Sequence, residues 1–86
     1  MCTYHTCSVP VSGSGKGAEG WFELRAVSVY LDHPVHATPA HTLNLDFLNA
    51  ERGPAARVAV ELTAESARAL AQAITATLDT APAGLA

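Results

Sequence analysis

His41-Thr42-Leu43-Asn44-Leu45-Asp46-Phe47-Leu48, then after a short break Ala56-Arg57-Val58-Ala59-Val60-Glu61-Leu62 and Thr63-Ala64-Glu65-Ser66-Ala67-Arg68-Ala69-Leu70, is the stretch on which the fold turns. In the first two segments apolar and polar side chains alternate with period two, the pattern of a strand buried on one face. Asn49, Gly53 and Pro54 between them supply the backbone conformations of a turn. Beyond Leu62 the period lengthens to three and four. Thr63 is a good N-cap, Glu65 stands in the first turn where the helix dipole favours a carboxylate, and the alanine-rich run that follows predicts a helix over residues 64–78. Its apolar stripe is Ala67, Leu70, Ala71, Ile74 and Leu78, with Glu65, Arg68, Gln72 and Asp79 directed elsewhere. A helix with one apolar stripe following a hairpin with one apolar face is expected to cover that face. Register must set Leu43, Leu45 and Phe47 beside Ala56, Val58, Val60 and Leu62. Leu45 is then expected opposite Val58 and Leu43 opposite Val60, with Asp46 opposite Arg57 on the reverse side as a cross-strand ion pair.

Towards the N-terminus, residues 21–31 make the longest strand candidate, and residues 3–11 suit an edge strand because Pro10 lacks an amide donor. Ser12-Gly13-Ser14-Gly15-Lys16-Gly17-Ala18-Glu19-Gly20 between them reads as a long flexible turn. The expected fold class is therefore α+β, a four-stranded antiparallel meander with one C-terminal helix on one face. A single domain over residues 1–80 and a frayed tail over residues 81–86 complete the organisation. Residues 21–31 contain a parity conflict: Phe22 and Leu24 fall on one side, Val27, Val29 and Leu31 on the other. Either a bulge intervenes or both faces are buried. In the second case the side carrying Ala26, Ser28, Tyr30 and Leu48 is expected to meet another subunit or a ligand.

At 86 residues the chain holds one small domain, and with 49% hydrophobic and 15% charged residues it falls outside the disordered class. A net charge of -3 with five Lys and Arg scattered along the chain lacks the electrostatic footprint of a nucleic-acid binder. No apolar run approaches the roughly 18 residues of a membrane span, and Met1 to Ser12 lack the order of a secretory signal, so a cytoplasmic setting is expected. A domain of this length buries only about 60% of its unfolded surface. Aromatics make up 6% of the chain, and Cys2 and Cys7 are too few and too local for a disulfide framework. Help from a second copy of the chain, or from a metal, is expected.

The densest chemical signal is Asp32-His33-Pro34-Val35-His36-Ala37-Thr38-Pro39-Ala40-His41, which puts three of four histidines on one connection. Imidazole is the commonest metal ligand, and three of them with one position left open make the usual catalytic zinc site; iron and copper accept similar ligands. His33, His36 and His41 are thus candidate ligands of a divalent transition metal, with Asp32 as orienting group or general base. The same residues would equally suit a proline-braced loop whose imidazoles bond to backbone. Cys2, His5 and Cys7 form a second group; Cys2 is a candidate nucleophile or chelating terminus, against a reading of Cys2 and Cys7 as small buried hydrophobes. Trp21 and Tyr30 are candidates to line a small-molecule pocket, although large aromatics in a short domain more often fill a core or an interface. Gly13-Ser14-Gly15-Lys16-Gly17 lacks the preceding glycine, the following Ser or Thr and the helix of a phosphate loop.

Met1-Cys2-Thr3, Gly20-Trp21-Phe22, Asp32-His33-Pro34, His41-Thr42-Leu43-Asn44-Leu45-Asp46-Phe47 and Val58-Ala59-Val60-Glu61-Leu62 resemble a family of small, uncharacterised actinobacterial proteins over most of the chain. The resemblance implies a bacterial, cytoplasmic setting and brings no catalytic residue, cofactor or substrate. Two functions remain in view. One is a homo-oligomer that binds metal through the histidines, with an open position that would permit enzymatic chemistry on a small metabolite. The other is a metal-free binding or accessory protein that uses the uncovered sheet face.

Overall fold

The fold is taken from a computed structural model, which describes residues 6–32, 41–82 and 84. Strands β1 (Thr6–Gly17), β2 (Gly20–Asp32), β3 (Thr42–Leu48) and β4 (Arg57–Leu62) form one antiparallel sheet in the order β1-β2-β3-β4, and helix α1 (Ala64–Asp79) follows. This is the α+β meander that the alternating segments predict.

Two local expectations are corrected. The glycine-serine stretch is strand, not a long turn: β1 runs on to Gly17, and only Ala18 and Glu19 separate the paired residues Gly17 and Gly20. Small residues placed opposite Phe22 and Leu24 leave room for those side chains, so the glycines are packing partners. A Cβ on Gly15 would come within 3.0 Å of Leu24. Gly20 takes φ 111°, a conformation that residues with a Cβ rarely adopt. The second correction is the β3–β4 register, which lies two residues further along: Leu43 pairs with Leu62, Leu45 with Val60 and Phe47 with Val58. The connection sets it. A 3-10 turn at Ala50–Arg52 and a hydrogen bond from the Asn49 amide to the Ala56 carbonyl (3.2 Å) close the loop at 49 and 56. The expected parity survives because the shift is even.

The parity conflict in β2 resolves as burial on both faces. Register places Val27, Val29 and Leu31 with Phe47, Leu45 and Leu43 on the α1 side, while Phe22 and Leu24 face the other way. A bulge does occur, but in β1, where Val11 and Ser12 together oppose Arg25 between the pairs Pro10–Ala26 and Gly13–Leu24. Bulges increase local twist. Past it the β1–β2 hairpin coils until Gly17 approaches the opposite edge of the sheet, its Cβ position 3.3 Å from the Ala55 and Arg57 carbonyls and 3.1 Å from the Phe22 ring. Phe22 is buried there, and Val27 is buried on the α1 side.

Asn49 ties the coil together. It is 2% exposed, its amide nitrogen donates to the Glu23 carbonyl at 3.0 Å, and its Oδ1 accepts from the Glu51 amide at 3.1 Å. β3 has ended by this point, so a side chain takes over the ladder's hydrogen bonding to β2.

α1 starts where the N-cap predicts. The Thr63 hydroxyl accepts from the Ser66 amide at 3.1 Å, and the Ala67 amide donates to the Thr63 carbonyl. The helix lies over the aliphatic face but stands off it. None of its residues is buried.

Candidate functional site

Between α1 and the sheet, the described residues form a groove of about 530 Å³. Val29, Leu31, Leu43, Leu45 and Leu62 form its floor, and α1 lines its side, chiefly through Leu70 and Ile74. Leu43, Leu45 and Leu62 belong to the inward sets of β3 and β4, and Val29 and Leu31 come from β2. The groove opens because α1 leaves β4 after the single residue Thr63 and then diverges from the sheet. Leu70, Ile74 and Leu78 remain 45%, 53% and 58% exposed.

Among the described residues one polar side chain, Arg68, lines the groove, although the helical stripe predicted that it would point away. Among the described residues, ion pairs form at Arg25 and Arg57 and none at Arg68. The guanidinium therefore stands beside an aliphatic surface with no carboxylate partner among the described residues.

The reverse face carries a hydrogen-bonded row. The Tyr30 hydroxyl donates to Asp46 Oδ2 at 3.0 Å, Arg57 Nη2 donates to Asp46 Oδ1 at 2.8 Å, and the Thr42 hydroxyl donates to Asn44 Oδ1 at 2.7 Å. Asn44 also hydrogen-bonds the phenol. Asp46 and Arg57 pair as expected, but diagonally, since Asp46 lies opposite Ala59 and Leu48 opposite Arg57. Burial, reinforced by Asp46, pushes the Tyr30 phenol above its ordinary value against the opposing effects of Asn44 and Arg57. Tyr30 is thus a neutral donor at physiological pH, with its hydroxyl committed to Asp46. Thr42 and Asn44 are buried, and no buried polar side-chain atom among the described residues lacks a partner. A satisfied row of this kind stabilises a sheet.

Trp21 and Tyr30 are not brought together. They fall on opposite faces of β2, nine positions apart, or about 30 Å along a strand. Trp21 borders a small cavity of about 90 Å³ with Phe22, Arg52, Ala55 and Ala56.

Of the metal candidates, His33 and His36 lie outside the described residues, as does Cys2. His41 is exposed immediately before β3. Asp32 ends β2 and pairs with Thr42, so the histidine-bearing connection leaves and re-enters the sheet at adjacent strand ends. Among the described residues, no group of three or more His, Cys, Asp or Glu assembles that could hold a metal ion.

No helix among the described residues is long and apolar enough to cross a membrane. The model of a family of unknown function, DUF6295, matches residues 1–86, and the chain belongs to that family. The chain matches no curated protein and no solved structure.

Proposed function

We propose that this member of DUF6295 is a homo-oligomeric binding protein, in which a second copy covers the α1 side of the sheet and closes the groove into a chamber for an apolar small molecule. The observation that carries the reading is a helix that buries none of its own residues while Leu70, Ile74 and Leu78 lie open beside an aliphatic groove. Most helical stability in proteins comes from packing an amphipathic face, and among the described residues α1 buries none of its own, so a second copy over its apolar stripe would stabilise it. The sequence suggested the opposite side for association, but that side carries the polar row of Tyr30, Asn44, Asp46 and Arg57. A groove of about 530 Å³ lies within the ~300–1,000 Å³ typical of small-molecule sites.

Sedimentation equilibrium of the untagged chain tests the reading. A dimer or higher closed oligomer is expected, shifted towards monomer by Leu78→Glu. A wild-type chain that stays monomeric and folded at micromolar concentration overturns it.

A second reading, a divalent transition metal (zinc first, iron or copper also suited) held by His33, His36 and His41, draws support from the Asp32–Thr42 pairing. That pairing sets the two ends of the histidine-bearing connection side by side. Asp32 would orient a ligand or act as general base, and an open coordination position would allow metal-dependent catalysis, with Cys2 a further nucleophile. One equivalent of metal in untagged protein, lost in His41→Ala, is the result this reading requires; substoichiometric metal ends it.

A further inference from the structure

We infer that the ligand of the groove is an aliphatic molecule ending in a carboxylate or similar anion, with its chain on the leucine-rich floor and its charged end on Arg68. This rests on the reading of the groove as a chamber and adds the class of ligand it takes.

The lining divides into two chemistries. Val29, Leu31, Leu43, Leu45 and Leu62 offer only aliphatic surface, with no aromatic ring for a planar ligand to stack on. Such a surface selects flexible or branched hydrocarbon by area alone and gives no orientation. Orientation requires a polar group, and among the described residues the groove has one charged side chain, Arg68. A planar guanidinium matches a carboxylate with two parallel donors. Covering the α1 side removes water from around this cation, and an uncompensated charge in a desolvated site is costly. A ligand anion supplies the missing compensation. Arg68 lies in the second turn of α1, with Ala64, Ala67 and Ala71 around it on the groove wall. These methyl-sized neighbours leave room for a head group beside the guanidinium, whereas Leu70 and Ile74 favour hydrocarbon further along.

Displacement of the neutral fluorophore N-phenyl-1-naphthylamine from the full chain, by decanoate and by decanol in parallel, tests the assignment. Decanoate is expected to displace the probe at least tenfold more effectively than decanol. Arg68→Gln should abolish that preference while leaving decanol unchanged, and Arg68→Lys should retain part of it. Equal displacement by the two competitors, or a preference that survives Arg68→Gln, overturns the assignment. Sedimentation of the same samples separates the two proposals. Oligomeric protein with no decanoate preference sinks the anion and leaves the chamber, whereas monomeric protein that keeps an Arg68-dependent preference sinks the second copy and upholds the anion. Failure of the fluorophore to bind at all overturns this inference whatever the oligomeric state.

Discussion

Tyr30 shows how one residue's setting differs from its sequence context. Its neighbours in the chain, Val29 and Leu31, face the groove, while its own ring lies on the reverse face and its hydroxyl donates to Asp46. Tyr30→Phe removes that donor but leaves Asp46 paired with Arg57. The expected loss is about 1 kcal/mol in urea denaturation. Burial, followed by Asp46, raises the phenol above the ordinary value of 10.0, so the unfolded chain deprotonates at lower pH than the folded one. Tyr30's contribution is therefore fully present below the unfolded value and lost as pH rises through the folded value. Wild-type stability should fall more steeply above pH 10 than that of Tyr30→Phe, as read by chemical denaturation across that range; parallel profiles would contradict the assignment. Asn49 is the other residue whose role is tertiary. Asn49→Ala would orphan the Glu23 carbonyl and the Glu51 amide, an expected loss of about 2–3 kcal/mol.

At the scale of elements, the β1–β2 hairpin and α1 behave oppositely. The hairpin coils onto the reverse face through its bulge and its glycines, and Gly17→Ala would set a methyl group 3.1 Å from the Phe22 ring and 3.3 Å from two carbonyl oxygens. Overpacking of this kind costs about 1–3 kcal/mol, which thermal denaturation would show as a lowered Tm. α1 is capped well but packed poorly. Thr63→Ala removes the hydroxyl that accepts from the Ser66 amide, and a loss of about 1 kcal/mol is expected. Because the helix stands off its own sheet, that loss should appear as reduced helicity at 222 nm together with weaker association. β1 through Gly17 escaped a reading by composition, because glycine and serine have low strand propensity and their place in the ladder comes from the bulky residues opposite. The N-cap at Thr63 and the strand alternation of β3 and β4 were legible because both arise from contacts between near neighbours.

At the scale of the whole molecule, α1 stands off its sheet with none of its residues buried, and the proposed second copy on the α1 side would supply those contacts. Since folding would then be linked to association, Tm should rise with protein concentration across a hundredfold dilution series, and a concentration-independent Tm would contradict linkage. The candidate site was partly legible. The inward set Leu43, Leu45 and Leu62 follows from alternation, but the groove they form depends on the departure angle of α1, and the placing of Arg68 in it on the rotation of the helix about its axis.

Periodicity, capping and turn chemistry alone determined the order of strands and helix and the inward faces of β3 and β4, because each depends on residues a few positions apart or on the parity of a hairpin. Tertiary structure alone decided the two-residue shift in β3–β4 register, the bulge that coils β1 over Phe22, and the gap beneath α1. These depend on loop closure and on how far one packed layer stands from the next, quantities set by the summed fit of many side chains.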